Sequence, residues 1–420
     1  ILLPLIIWGL LKLIYQNRVG TYISWLAVML IDNYYMGWMI AIFTFLFFLW
    51  QTPALASWRQ RGVIFLRYLS SSLLAAGISA VILLPTFYAL MQSKGTYTET
   101  KIHSRFEYFA PKMLGKLVPG SFNFNQMPSG QPNIYIGMLL MLGACLYFFN
   151  NRFDLRRRLI GAAISIFFIF SFCYEPLDLL WHAGQFPVWY PYRFSYLFSF
   201  WCIYLAAKVL QPDFKIKKRS AMILTLLIIA VYWYVGTLNL SYINSNQRNI
   251  GLCFALIAVS CLCIPRTNSP RLYDALLVLL AVCDISMSGY TALNKISYVS
   301  QPEFGNYTLA LDKSVEKLKK HDPGFYRVAK TFMRTKDDPF QADFNSGDHF
   351  GSTLEPPIPA FMGAIGQPDG DGFVTYTNGT QVSDALLGYK YTMNARNASA
   401  GQALPLSGFR PDWYSYPLVG

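Results

Sequence analysis

The segment from 175 to 193 holds residue types that could bind a phosphate group at the end of an apolar run. It contains Glu175, Asp178, His182 and Arg193, and long apolar stretches lie on both sides of it. The planar guanidinium of Arg193 offers paired N–H donors that match two phosphate oxygens. A cation in this position costs free energy unless an anion compensates it. We therefore predict that Arg193 binds a ligand phosphate and that its neighbours complete a substrate site: Trp189, Tyr192, His182, Glu175 and Asp178.

The same residues have simpler interpretations, which the sequence leaves open. Arg193 could extend to a membrane interface, or it could pair with Glu175 or Asp178. The aromatic residues that precede the arginine are typical of interface anchors. The neutral imidazole of His182 could hydrogen-bond a substrate or cap the loop. Two prolines in the stretch FPVWYPYR exclude a continuous helix through it.

Two further sets of ionisable residues lie at the ends of apolar runs. Asp32 separates one run from the stretch NYYMGW, where an ionisable residue is a functional candidate. A solvated aspartate that ends a helix fits the sequence equally well. The stretch KGTYTETKIHSRFEYF, residues 94–109, contains Glu99, His103, Arg105 and Glu107. For that stretch an amphipathic helix on the membrane surface is favoured over a catalytic role.

The elements that must carry these residues are strongly apolar. Of 420 residues, 54% are hydrophobic and only 14% are charged, whereas a soluble domain usually carries about 25% charged residues. Several apolar runs approach the roughly 20 residues that cross a bilayer. We therefore predict an all-α, polytopic membrane bundle with about ten apolar segments. These cover residues 1–15, 19–31, 36–50, 63–84, 134–150, 159–174, 192–210, 220–238, 250–264 and 272–293.

The distribution of charge predicts the orientation of the bundle. The net charge is +13, but the basic residues occupy short loops between apolar runs, which argues against nucleic acid as a partner. Loops 32–35 and 175–191 contain no Lys or Arg, whereas 151–158 and 215–219 are basic. By the positive-inside rule the basic loops face the cytoplasm. Asp32 and Arg193 are therefore predicted on the outer face of a multi-pass cell-membrane protein.

The chain is predicted to divide into a transmembrane domain, 1–293, and an extracytoplasmic α+β domain, 294–420. The long loop 91–133 carries five basic residues and is predicted to be a small folded element on the outer side. In the second domain we predict a helix over 307–321, with Leu309, Val315 and Leu318 on one face, and strands in FYRVAK and FVTYT. The chain opens inside an apolar run, so we expect a fragment that lacks upstream spans and part of the second domain. With no metal-ligand motif, we assign no metal-ligating residues and no cofactor, and the sequence leaves open whether a divalent metal is needed.

Four segments resemble the YfhO family of bacterial membrane proteins. They are NYYMGWMIAIFTFLFFLW (33–50), LLPTFYAL (83–90), WHAGQFPVWYPYRFSYLFSF (181–200) and HFGSTLEPPIPAFMGAIGQPDGDGFVTYTNGTQVSDALLGYKY (349–391). The resemblance implies a GT-C-type glycosyltransferase fold that takes a sugar from a polyprenyl-phosphate donor on the outer leaflet. It also implies a link to the glycosylation of lipoteichoic acid in Gram-positive bacteria. In GT-C enzymes an acidic residue of an early outer loop acts as the base. The resemblance leaves two places for that residue, the expected missing upstream part or Asp32, and we assign Asp32.

Three functions follow from this combination of patterns. The leading hypothesis is a membrane glycosyltransferase, a hexosyltransferase that modifies a cell-envelope polymer. A transporter or flippase of lipid-linked sugars is the second, and it predicts ionisable residues near the middle of several spans. Asp284 is the clearest such residue. The third is a non-catalytic envelope assembly factor. The predicted partners are the lipid bilayer, a polyprenyl-phosphate sugar and a teichoic-acid-like acceptor.

Overall fold

The chain divides into two compact units that interleave along the sequence. The first combines residues 1–83 and 99–297, and the second combines 84–98 and 298–420. The computed structural model describes residues 2–54, 57–92, 101–187, 189–211, 214, 216–264, 270–370, 372–377, 379–395 and 411–415. The domain boundary between 293 and 294 stays a prediction.

Helices dominate the chain up to residue 297. They are α1 (Leu3–Gln16), α2 (Gly20–Asp32), α3 (Tyr34–Gln51), α4 (Trp58–Ile78), α5 (Ala80–Gln92), α6 (Gln126–Ser129), α7 (Met138–Phe149), α8 (Leu155–Ser171), α9 (Glu175–Trp181), α10 (Ser195–Val209), α11 (Lys218–Thr237), α12 (Ser245–Cys263) and α13 (Pro270–Leu293), with 3-10 turns at Thr52–Ala54 and Ala110–Leu117. Every predicted apolar run therefore coincides with a helix or with a pair of consecutive helices.

Only some of these helices are long and apolar enough to cross a membrane. Among the described residues, α3, α11, α12 and α13 meet that requirement, and α4 with α5 form a fifth if the broken pair is one span. Helices α1, α2, α7 and α10 are apolar but have 14, 13, 12 and 15 residues. A straight helix needs about 20 residues to cross a bilayer. The predicted count of about ten spans is therefore not confirmed.

An aromatic stack holds α9 and the start of α10 in place. The indole of Trp181 stacks on the ring of Phe194, with centroids 4.8 Å apart and planes 7° apart. Phe194 stacks in turn on Phe172, which follows α8, at 5.0 Å. All three side chains are buried. Such contacts add about 0.5–1.5 kcal/mol each beyond the burial of apolar area. Packed aromatic residues therefore fix both ends of the loop between α9 and α10.

Asp284, the acidic residue in the middle of α13, stabilises the start of a neighbouring helix. Its carboxylate accepts a hydrogen bond from the backbone N–H of Met138, the first residue of α7, at 2.7 Å. It also accepts one from the hydroxyl of Tyr135. The side chain is 1% exposed. Because the first N–H groups of a helix have no partner within that helix, a buried carboxylate there acts as a cap.

The second unit is an α+β assembly. It contains α14 (Gln301–His321), α15 (Asp338–Gln341), α16 (Pro357–Ala364), α17 (Gln381–Leu387), β1 (Arg327–Lys330), β2 (His349–Phe350), β3 (Asp369–Gly370), β4 (Phe373–Val374), β5 (Tyr389–Ala395) and β6 (Pro411–Ser415). One sheet has the order β1-β5-β6, parallel between β1 and β5 and antiparallel between β5 and β6. The other is antiparallel in the order β2-β4-β3.

The predicted helix over 307–321 is part of α14, but its buried face was partly mispredicted. Val315 and Leu318 are buried as expected, together with Tyr307 and Leu311. Leu309 is 57% exposed. The spacing from 307 to 311, 315 and 318 follows the helical repeat of 3.6 residues, and Leu309 lies off that stripe. The strands in FYRVAK and FVTYT are present over fewer residues than predicted.

Candidate functional site

The chain between α9 and α10 is not helical, as its two prolines predict. Residues 182–184 and 189–194 form turns and bends, residues 185–187 have no regular structure, and α10 begins at Ser195. Trp189, Tyr190 and Tyr192 have positive φ angles of 61°, 50° and 55°. This left-handed conformation costs an L-residue with a side chain about 1–2 kcal/mol. Strain of this kind persists only where the surrounding contacts impose it, and it concentrates at functional sites.

The guanidinium of Arg193 folds back over this loop. Its Nη2 donates to the carbonyl of Trp189 at 3.0 Å and its Nε donates to the carbonyl of Tyr190 at 3.3 Å. The charged group also lies 5.2 Å from the ring centroid of Tyr35, in a cation–π contact. The side chain is half-buried. Arg193 thus lies against two backbone carbonyl oxygens and an aromatic face.

Tyr35 was not a candidate in the sequence analysis. It connects three residues that were: Arg193, His182 and Asp178. Its hydroxyl shares a hydrogen bond with Nδ1 of His182, and the tautomer of the histidine decides which group donates. Nε2 of His182 lies 3.4 Å from Oδ1 of Asp178. His182 and Asp178 are 1% and 2% exposed. The order Arg193, Tyr35, His182, Asp178 therefore runs from a half-buried cation to a buried acid.

The contact between His182 and Asp178, at the inner end of this series, is imperfectly aligned. Neither Nε2 of His182 nor Oδ1 of Asp178 forms a hydrogen bond with any described residue. Burial raises the pKa of the Asp178 carboxyl above its usual range, against the opposing effect of His182. Both atoms are polar and buried, so the pair orients the imidazole at a cost in solvation.

Asp32 lies at the same end of α3 as Tyr35. It is the last residue of α2, and only Asn33 separates that helix from α3. The side chain of Asn33 accepts a hydrogen bond from the N–H of Met36 and so caps α3. The Nε1 of Trp38, the fifth residue of α3, donates to the carbonyl of Leu180 at 3.0 Å, which attaches this end of α3 to α9. Asp32 is exposed, and within the described residues its carboxylate has neither a hydrogen bond nor an ion pair.

Glu175 is buried and holds a neighbouring segment instead of facing Arg193. Its carboxylate accepts from the backbone N–H of His103 at 2.7 Å and from Nε of Arg105 at 2.6 Å. Burial alone would raise the pKa of the Glu175 carboxyl, but these hydrogen bonds outweigh it and the pKa is lowered. Phe106 and Tyr174 form an antiparallel bridge beside them.

The amphipathic helix favoured for residues 94–109 is therefore wrong over 101–109. Those residues are extended and bent. The carboxylate of Glu175 and the backbone of residues 173–175 form hydrogen bonds with them. Glu99, in contrast, lies outside the described residues.

Glu107 gives the site a fourth carboxyl group, after Asp178, Asp32 and Glu175. The hydroxyl of Tyr192 donates to its Oε2. Burial of this carboxyl, with Asp178 and Glu175 nearby, raises the pKa of Glu107 to about 7. Glu107 as a whole keeps an exposed side. Sequence reasoning gave this residue little weight because its partner, Tyr192, is 85 positions away.

The remaining predicted residue, Trp189, is 43% exposed and contacts Phe124 edge to face at 6.1 Å. Metal ligation has no obvious place here. Across the part of the chain that the structure describes, no three His, Cys, Asp or Glu side chains are grouped so that they could hold a metal ion. The chemistry available to the site is thus that of a cation, an aromatic surface and several carboxyl groups.

A family model described as bacterial membrane protein YfhO matches residues 1–419. The chain belongs to the YfhO family. The resemblance predicted from four segments is confirmed over nearly the whole length. Comparisons with curated proteins and with solved structures gave no match. Two of the four YfhO-like segments, 33–50 and 181–200, meet in this site, since the first supplies Tyr35 and the second supplies His182 and Arg193.

Proposed function

We propose that this YfhO-family protein is a membrane glycosyltransferase that moves a sugar from a polyprenyl-phosphate donor to a cell-envelope polymer such as lipoteichoic acid. The observation that carries the proposal is the placement of Arg193 over Tyr35 at the end of the apolar helix α3. A guanidinium at that depth can bind the phosphate of a lipid whose chain lies among the helices. In the proposed topology the site and residues 294–420 are on the outer face.

The proposed reaction is a displacement at the anomeric carbon of the donor sugar. A carboxylate removes the proton of an acceptor hydroxyl, and the oxygen forms a bond to the anomeric carbon. The bond from that carbon to the phosphate oxygen breaks, and the lipid phosphate leaves with its electron pair. Arg193 stabilises the negative charge that develops on this phosphate. The step involves no change of oxidation state.

We assign the other residues according to their exposure. Tyr35 is half-buried and contacts the donor. His182 and Asp178 are buried and position the hydroxyl of Tyr35. Glu175 positions the segment 101–107. Tyr192 orients Glu107. The exposed indole of Trp189 packs on a sugar face or an isoprenoid chain.

Two carboxylates compete for the role of base. Asp32 is exposed and unpaired within the described residues, which suits a group that must meet an acceptor. Glu107 has a pKa of about 7, near the value at which a general base works best. We assign the base to Asp32, as the family resemblance implies, with Glu107 as the alternative.

The transporter hypothesis loses its main support. Asp284 favoured it as an acid in the middle of a span, but that carboxylate already accepts hydrogen bonds from Tyr135 and Met138. Capping of α7 explains its presence without a transported ion.

The test is transfer of a radiolabelled sugar from a polyprenyl-phosphate donor in membranes that contain the full chain. Asp32→Asn should abolish transfer and leave donor binding nearly unchanged, while Glu107→Gln should reduce transfer only in part. The reverse result would make Glu107 the base. If deletion of the gene left the sugar content of the envelope polymers unchanged and lipid-linked precursor accumulated on the inner leaflet, a flippase would replace the glycosyltransferase. Unchanged polymers and precursors would favour an assembly factor.

A further inference from the structure

A second polar site lies at the other end of α3. Gln51 ends that helix and lines a cavity of about 330 Å³, together with the aromatic rings of Tyr15, Trp50, Tyr147 and Tyr204. Helix α3 has 18 residues, so at about 1.5 Å per residue it is roughly 27 Å long. That length approaches the roughly 30 Å of a hydrocarbon core. The cavity is therefore at the membrane surface opposite to Tyr35 and Arg193.

The polar wall of the cavity is a preformed network. The hydroxyl of Tyr15 donates to Oε1 of Gln51 at 2.8 Å. Nη2 of Arg157 donates to the Tyr15 hydroxyl at 3.1 Å and to Oε1 of Gln51 at 3.3 Å. The Nε1 of Trp50 fixes the backbone of Arg157 through a 3.1 Å hydrogen bond to its carbonyl. Gln51 is 4% exposed and Tyr15 is 51% exposed, so the network joins a packed side chain to an exposed one.

The charge of the cavity is positive and is not balanced by its lining. Arg157 and Lys208 both line it, and none of the described residues that line it is acidic. Asp154 is close in sequence, but its carboxylate accepts from the N–H of Arg156 and caps α8. The ammonium of Lys208 lies 5.4 Å from the ring centroid of Tyr204. Two cations with neutral partners in a concave site favour an anionic ligand.

An unused hydrogen-bond donor points to the same conclusion. Tyr147 lines the cavity and is 1% exposed, and its hydroxyl has no hydrogen-bond partner among the described residues. Buried polar groups normally find a partner, and leaving one unpaired is costly. A ligand oxygen in the cavity would accept from this hydroxyl.

We propose that this cavity binds the phosphate headgroup of an anionic membrane lipid from the leaflet opposite to the proposed transfer site. The depth of the cavity matches the headgroup region, and a basic pocket between membrane helices suits such a lipid. Arg157 and Lys208 bind the phosphate, Tyr147 donates to one of its oxygens, and the aromatic rings contact the polar alcohol of the headgroup. This site does not depend on the glycosyltransferase activity.

The test compares lipids bound to the purified full chain in nanodiscs. The chain is placed in phosphatidylcholine with a small fraction of phosphatidylglycerol, and lipids retained on the protein are counted by native mass spectrometry. Wild type should retain phosphatidylglycerol preferentially. Arg157→Gln and Lys208→Gln should each weaken that retention about 10-fold or more, since each loses a charge-assisted contact, and Tyr147→Phe about 2- to 10-fold.

Arg156→Gln is the matched control. It removes the same charge from the neighbouring position, and the side chain of Arg156 does not line this cavity. It should leave retention unchanged. Equal retention of the two lipids by wild type would overturn the proposal. A second result would also overturn it. Inorganic phosphate would raise the unfolding temperature of the chain in pure phosphatidylcholine, and phosphatidylglycerol would raise it no further. Tyr147→Phe removes one oxygen atom only, so it keeps the test decisive if the charge variants fail to fold.

Discussion

The hydroxyl of Tyr35 is hydrogen-bonded to Nδ1 of His182, a residue 147 positions further along the chain. This contact joins the first turn of α3 to the end of α9, and it places the ring of Tyr35 under the guanidinium of Arg193. One side chain therefore connects the turn that carries Asp32 with the loop that carries the cation. The proposed site depends on that connection.

Tyr35→Phe should test this connection directly. The substitution keeps the ring under Arg193 but leaves a buried imidazole nitrogen without its partner, which costs about 1–3 kcal/mol. We expect a lower temperature of unfolding and transfer reduced about 10-fold. Tyr34→Phe, at the exposed neighbouring position, is the control and should change neither. Wild-type transfer in Tyr35→Phe would mean that the hydroxyl has no part in the site.

Arg193→Lys should separate the shape of the cation from its charge. Lysine keeps the charge but loses the planar fork and the pair of hydrogen bonds to the carbonyls of Trp189 and Tyr190. A lost charge-assisted hydrogen bond of roughly 1.5–3 kcal/mol corresponds to about 10- to 150-fold in kcat/KM. Arg193→Ala should be worse, while Arg18→Lys in an exposed turn should have no effect. Full activity in Arg193→Ala would reduce the loop to an interface anchor.

The local features of this loop could be predicted from sequence, whereas its partners could not. Pro187 and Pro191 exclude a helix by covalent geometry alone, so the break before α10 was predictable. The contact between Tyr35 and His182 joins residues 147 positions apart, and nothing in the local pattern of either specifies the other. Glu175 shows the same limit, since its partners come from the segment 101–105.

Apolar runs, likewise, predict where helices form but not which of them cross the membrane. The apolar run that contains α7 was predicted to be a span, yet the helix has only 12 residues. Its start is bound by Asp284, a residue that sequence reasoning could only classify as a charge within a span. The start of such a helix depends on a contact with a distant segment, which the local apolar pattern does not specify.

Asp284→Ala should behave as a loss of structure rather than a loss of transport. The change leaves the N–H of Met138 and the hydroxyl of Tyr135 without their acceptor. We expect the free energy of unfolding in detergent to fall by about 1–3 kcal/mol, with activity per folded molecule preserved. Asp312→Asn in α14 is the control. A stable Asp284→Ala protein that has lost movement of a lipid-linked sugar would make the transporter the leading hypothesis.

Cysteine labelling should test the proposed orientation. Cysteines that replace Asn33, Leu180 and Ser245, all exposed, should react with an impermeant maleimide in intact cells. Cysteines that replace Gln60, Leu155 and Lys217, also exposed, should react only after lysis. The chain without these replacements gives the background from its own cysteines. The opposite pattern would place Arg193 in the cytoplasmic leaflet and exclude an outer-leaflet donor.

Glu107 should make the stability of the chain depend on pH in a specific direction. Burial, with Asp178 and Glu175 nearby, raises the pKa of this carboxyl from 4.5 to about 7. A raised pKa in the folded state means that the folded chain holds the proton more tightly than the unfolded chain. The stabilisation is therefore complete below about pH 4.5 and is lost as the pH rises to about 7.

Glu107→Gln should remove that part of the decline, because an amide does not titrate over this range. The measurement is the temperature of unfolding between pH 4.5 and pH 8 for wild type and variant in the same detergent. Tyr192→Phe is the informative second variant, since it removes the hydrogen bond that favours the charged form of Glu107. The decline should then extend to higher pH. Parallel curves for wild type and Glu107→Gln would show that Glu107 titrates as an ordinary surface carboxyl and has no claim to the role of base.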